Sequence, residues 1–202
     1  MGVVPFDNSV LQSLYPDCRY INDKARRLEA EGRIVRLKRG LYVAVQEDRP
    51  ICSELVANTL YGPSYVSIGS ALRYWGLIPE HVFLNESVTI KHARYFRTPV
   101  GNYIYQNCHP HYFPIGITEE EDKGVHFLIA SPAKALCDYL CFWKSELRFV
   151  KEVGPFLEED LRFDMDRLGD LDPEVIRRCA ETGRKKETLR TLLKYLHYEQ
   201  LV

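Results

Sequence analysis

Three features of this sequence predict an α+β fold. Short stretches alternate apolar and polar side chains at strand period, as in residues 32–45, GRIVRLKRGLYVAV, and 125–130, VHFLIA. Between them lie segments whose apolar residues recur every three or four positions, as in INDKARRLEA and SPAKALCDYLCFW. Glycine and proline fall at the ends of both kinds of segment rather than inside them. At 202 residues, 46% hydrophobic and 27% charged, the chain has room for one large globular unit or two small ones.

Residues 6–15, FDNSVLQSLY, predict a short helix beginning after Asn8 or Ser9 and ended by Pro16. In the next helix, YINDKARRLEAEG, Asn22 is the expected cap, Asp23 suits the first turn and Gly32 the stop. At 100° per residue Ile21, Ala25 and Leu28 share a stripe to be buried. Asp23, Arg26, Arg27 and Ala30 point away from it, with Lys24 on the flank. Val35 and Leu37 then alternate with Arg36 and Lys38, so one face of the strand is expected to be buried and the other charged. Gly40 supplies the positive φ of a hairpin corner, and Leu41, Val43 and Val45 resume the alternation.

Charge is partitioned along this segment. The whole chain is formally −1, yet Arg19 to Arg39 holds eight bases against three acids, a local +5. Helix, glycine, strand, basic turn and strand form the order of a recognition helix followed by a β-wing, which grips DNA by groove and backbone. The plainer alternative is a small scaffold with a solvated charged helix and an edge that discourages sheet pairing.

QEDRP at residues 46–50 is a polar linker, and a second unit begins at Ile51. ICSELVANTLYG predicts a helix. Ser67 is a plausible cap for the helix that carries Ala71, Leu72 and Trp75 and stops at Gly76 and Pro79. SVTIKHARYF and GNYIYQNCHP suggest strands about a TPVG turn, and VHFLIA is a further buried strand. Ser131-Pro132 opens a helix with a cap and a first-position proline. From about Glu146 onward the pattern is helical and more charged, with starts at Asp172-Pro173-Glu174 and after Gly183. The expected division is therefore 1–48 and 51–202, the latter mixed α/β to 145 and helical from 146 to 202.

The ordered set RLEAEGRIVRLKRGLYV, NTLYGPSYVSIGSALRYWGLIPE, SVTIKHARYFRTPVGNYIY and IASPAKALCDYL resembles the AbiEi family. These are bacterial antitoxins encoded beside a nucleotidyltransferase-like toxin in type IV toxin–antitoxin (abortive infection) systems. The resemblance covers about residues 20–145. It implies an N-terminal winged helix-turn-helix that represses its own operon and a C-terminal region that counters the toxin without a lasting complex. Carried over by position, it puts Lys24, Arg26 and Arg27 on the reading helix, with Arg33, Arg36, Lys38 and Arg39 on the wing. Two departures stand out. Only about 21 residues precede Asn22, so one of the three helices before the wing is shortened or lost. The family's usual Glu after Ser-Pro is Ala133 here, although Lys134 remains.

Other chemistry is weakly supported. Cys108-His109-Pro110-His111 lacks the second ligand pair a zinc site needs. Gly69-Ser70 lacks the closely following acid pair of a nucleotidyltransferase, and Asp164 and Asp166 come far too late. Glu158, Glu159 and Asp160 fit a solvated face better than a nuclease centre. Neither catalysis, nor a metal, nor a cofactor is expected. Pro173 to Leu196 carries seven bases, Arg177, Arg178, Arg184, Lys185, Lys186, Arg190 and Lys194, against three acids. These would form a second basic face for DNA, RNA or an acidic partner, or only the wet side of a docked helix.

The six cysteines show no framework spacing, and the N-terminus MGVVPFDNSV has neither an export signal nor a complete myristoylation pattern. A cytoplasmic protein with reduced thiols is expected. Together these readings predict a DNA-binding antitoxin and autoregulator, whose small reading unit calls for a homodimer or paired copies on its operator. The competing reading is a non-catalytic module whose basic faces dock an acidic protein or RNA.

Overall fold

The computed structural model describes residues 4–79 and 84–199. Met1-Gly2-Val3 and the helical pattern beyond Glu199 lie outside the described residues. The fold is mixed α+β, with two sheets of unequal size.

In the N-terminal unit, β1 (Phe6–Asp7) leads directly into α1 (Asn8–Leu14). The Asp7 carboxylate accepts from the amides of Ser9 at 2.9 Å and Val10 at 3.3 Å, satisfying donors the first turn leaves free. The helix closes at Tyr15, before Pro16, which has no amide to continue it. Helix α2 (Ile21–Ala30) buries Ala25 and Leu28 as the spacing predicts. Its cap differs from expectation. Tyr20 occupies that position without a side-chain bond, and Asn22 is the second helical residue, accepting from Asn8 Nδ2 at 3.2 Å. Gly32, at φ +69, ends α2 and lets the Arg33 amide return to the Leu28 carbonyl at 2.9 Å.

Strands β2 (Ile34–Lys38) and β3 (Leu41–Ala44) form the predicted hairpin, with Gly40 at φ +76 in its corner. β1 pairs with β3, so the small sheet runs β1-β3-β2. The expected single buried face is corrected, because all four residues of β3 are buried. Tyr42 and Ala44 meet Phe6, Leu11, Ala25, Leu28 and Ile34 in a small core. Leu41 and Val43, with Leu37 of β2, turn the other way into the main core. The hairpin is therefore shared between two apolar clusters. Its pairing slips from Arg36↔Tyr42 to Lys38↔Leu41, a bulge that places one extra residue on β2.

The larger sheet is built from β4 (Ser64–Val66), β5 (Leu84–Thr89), β6 (Arg94–Thr98), β7 (Gly101–Asn107), β8 (Ile117–Asp122) and β9 (Val125–Ala130). Its order is β6-β7-β5-β4-β9-β8, with β5–β7 and β4–β9 parallel and the other neighbours antiparallel. SVTIKHARYF is thus two strands separated by a bend, and the Glu-rich β8 is a strand the sequence pattern did not announce. As a terminal strand it tolerates charge that a central one would not. Helices α3 (Ser53–Leu60), α4 (Ile68–Tyr74) and α5 (Pro132–Phe142) supply much of the core, and α5 opens with Ser131 accepting from the Lys134 amide at 3.3 Å.

Residues 146–170 depart from the continuous helical pattern expected. Helical turns of changing pitch follow one another from Val150 to Asp160, with α6 (Val153–Pro155) among them, and a separate 3₁₀ turn spans Met165–Asp170. Helices α7 (Pro173–Thr182) and α8 (Lys186–Tyr198) follow as predicted, Asp172 capping α7 through the Glu174 amide at 2.9 Å. Leu189, Leu192 and Leu196 are fully buried against the main core.

Candidate nucleic-acid interface

Helix α2 presents Asn22, Arg26 and Arg27 to solvent, because Ala25 and Leu28 hold the opposite side against the small sheet. Each arginine there faces a carboxylate. Arg26 pairs with Asp23 at 3.1 Å, Arg27 with Glu31 at 3.5 Å and Arg33 with Glu31 at 3.8 Å. These are exposed pairs, worth about 0–1 kcal/mol, so a phosphate can replace the carboxylate at little cost. Lys24 sits half-buried on the flank, its ammonium 4.3 Å from the centre of the Tyr15 ring.

The hairpin cations separate. Arg36 turns back onto α2, pairing with Glu29 at 2.9 Å and lying over the Tyr42 ring. Lys38, expected beside it, does not join that face. The bulge re-aims it across the hairpin, where Nζ donates to the Leu60 carbonyl at 2.5 Å, near Lys91 and Arg94. Burial, then those two cations, lower the Lys38 pKa. Arg39, at the tip, is exposed with no ion pair among the described residues.

The cations of the second basic face are held in several ways. Arg177 is bound by Glu174 at 2.6 Å and Glu181 at 2.7 Å, and Arg190 by Glu187 at 2.5 Å. Arg184 donates to Asn107 Oδ1 at 3.0 Å, and Lys185 donates to the carbonyls of Trp143 and Ser145. Arg178, Lys186 and Lys194 remain exposed. Arg177, Arg184 and Arg190 are exposed as well, so that of the seven only Lys185 is half-buried.

Among the other motifs, Gly69-Ser70 is consumed locally. The Glu86 carboxylate accepts from the Gly69 amide at 2.9 Å, and the Ser70 hydroxyl binds the Leu84 carbonyl and the Glu86 amide. Cys108 is buried, its thiol pushed up to about 12 mainly by burial, while His109 and His111 are exposed beside each other. Among the described residues no three His, Cys, Asp or Glu side chains gather as a metal site would require. No helix among them is long and apolar enough to cross a membrane.

The most organised polar group escaped the sequence reading. Lys134 and Asp138, four residues apart on α5, are both fully buried and pair at 3.4 Å. Asp138 accepts from Tyr112 at 2.6 Å, Ser67 at 2.6 Å and Tyr65 at 3.0 Å. Lys134 donates to the Tyr112 carbonyl at 3.1 Å and lies over that residue's ring. Ser67 therefore serves Asp138 rather than capping α4 by its side chain, as had been expected. Burial first, then the Asp138 charge, push the Tyr65 and Tyr112 hydroxyls well above their ordinary range. With both charges sealed from solvent, the network fastens α5 to β4 and to the turn after β7. Its one sequence signal was a Lys and an Asp at i and i+4 inside an otherwise apolar stripe.

No protein-family model matches this chain, and no curated protein matches it.

Proposed function

We propose that this chain is a cytoplasmic, non-catalytic DNA-binding antitoxin that represses its own operon, with a winged-helix reading unit at its N-terminus. The observation carrying this reading is the arrangement of α1, α2 and a β1-β3-β2 sheet around one small core, which leaves the Asn22, Arg26 and Arg27 side of α2 open. That arrangement supports the winged-helix reading, with α2 as its reading helix. Side chains of α2 meet base edges, while Arg33, Arg36 and Arg39 hold phosphates and fix register. The antitoxin role rests on the resemblance, which pairs such a regulator with a nucleotidyltransferase-like toxin and no lasting complex. A unit this small acts as paired copies on repeated sites.

Gel shift and footprinting on the region upstream of its own reading frame, at several salt concentrations, test the regulator. Three arginines on phosphates (Arg33, Arg36 and Arg39) give a log–log salt slope of about −3. Arg33→Gln with Arg39→Gln should weaken binding to all sequences and flatten the slope by about 2. A slope near zero for the wild type would favour the rival reading, docking to an acidic protein. Antitoxicity is tested by co-expression with the product of the neighbouring frame, where loss of toxicity is expected.

A further inference from the structure

We infer that the seam between the hairpin and the second unit, around Lys38, Lys91 and Arg94, is a second phosphate-binding site that takes the DNA backbone beyond the stretch read by α2. The inference rests on the DNA-binding reading and extends it to residues outside the N-terminal unit.

The two sides of the hairpin differ in how their charge is balanced. On the α2 side Arg26, Arg27, Arg33 and Arg36 each have a carboxylate within 4.0 Å. Across the bulge, Lys38, Lys91 and Arg94 converge with no carboxylate partner among the described residues. What holds them there leaves most of their charge in place. Lys38 donates to the Leu60 carbonyl and Lys91 to the Gly62 carbonyl, at the end of α3 where carbonyls lack helical partners. Each ammonium has three donors and spends one in this way.

Arg94 lies over the rings of Tyr61, at 5.6 Å, and Phe96, at 5.2 Å, and Lys91 over Tyr61 at 5.3 Å. Ring faces and a helix C-terminus attract cations but carry no full negative charge. Three cations held together without a counterion among the described residues raise one another's energy, and a phosphate oxygen relieves this while using the spare donors. The neighbouring hairpin corner carries Arg39, so a backbone gripped at the tip continues onto the seam. Electrostatics of this kind act on any sequence, which assigns the seam to affinity rather than specificity.

The test compares wild type, Arg94→Gln, the pair Lys91→Gln/Arg94→Gln, and Lys91→Arg, on two duplexes. One is trimmed to the footprint of α2 and the hairpin, and the other is extended on both sides. On the extended duplex the double variant should flatten the log–log slope by about 2, so raising salt from 50 to 200 mM costs it roughly tenfold less affinity than wild type. Arg94→Gln should show about half that change, Lys91→Arg none, and the trimmed duplex little difference among them. Lys91 also holds the Gly62 carbonyl just beyond α3, so melting curves accompany the titrations, and Arg94→Gln, which removes only ring contacts among the described residues, stands in if the double variant unfolds. Folded variants with wild-type slopes on the extended duplex overturn the seam while leaving the regulator reading intact. A wild type that binds neither duplex overturns both.

Discussion

Replacing Asp138 by alanine tests the reasoning about the buried network most directly. The change removes the acceptor for three hydroxyls, at 2.6, 2.6 and 3.0 Å, and strands the Lys134 ammonium in the core. Lys134 keeps only the Tyr112 carbonyl and ring as partners. Breaking a buried ion pair from one side costs about 3–5 kcal/mol. For a chain of this size each kcal/mol shifts Tm by about 2–4 °C, so a fall of roughly 6–20 °C is expected. The double variant Lys134→Met/Asp138→Leu removes both charges in similar volume and should recover the part of the loss due to the stranded ammonium, while the Tyr65, Ser67 and Tyr112 hydroxyls still lack their acceptor. Urea unfolding of wild type, Lys134→Met, Asp138→Leu and the double variant closes the cycle and reports the coupling. A loss below about 1 kcal/mol in Asp138→Ala, or a double variant as unstable as the singles combined, would refute the claim that this charge depends on its partner.

Two further stability predictions follow from other sites. Gly116 sits at φ +62, and a Cβ there would lie 2.7 Å from Val175 Cγ1 and 2.9 Å from Lys134 Cβ. Gly116→Ala combines left-handed strain of about 1–2 kcal/mol with overpacking of about 1–3 kcal/mol, which denaturant melts should read as a loss of about 2–5 kcal/mol. Burial raises the pKa of Tyr103 and Tyr105 as it does those of Tyr65 and Tyr112. Tyrosines of the unfolded chain ionise near pH 10, so the stability these four contribute is complete below about pH 10 and is lost as pH rises beyond it. Each should cost about 1.4 kcal/mol per pH unit there. Urea midpoints should fall steeply above pH 10, with the tyrosinate absorbance of these four appearing only on unfolding. Ionisation of all thirteen tyrosines near pH 10 in a still-folded protein would contradict the burial.

Much of the local structure was legible in the residues. The stripe of Ala25 and Leu28, Gly32 and Gly40 at positive φ, the Ser131-Pro132 start and the Asp172 cap all depend on neighbours a few positions away. Backbone sterics and short side-chain bonds set such features wherever the chain goes. The charge partition around α2 was legible for the same reason, as was the exposed side of that helix. What those cations touch was not. An extra residue on β2, defined only by pairing with β3, sends Lys38 to the opposite side of the hairpin from Arg36.

Partners distant in sequence decided the rest. β1 is two residues long and is a strand only because β3 offers it a ladder. β8 reads as a charged loop until β9 pairs with it along its whole length. Asp138 is tolerable in the core only because Tyr65, Ser67 and Tyr112 arrive from elsewhere in the chain. The sequence alone determined the α+β class, most helix ends and the location of excess charge, since these are set by short-range sterics and periodicity. Sheet order, the facing of each cation and the buried ion pair were decided by tertiary contacts, because hydrogen bonding and desolvation depend on what packs nearby rather than on what lies next in the chain.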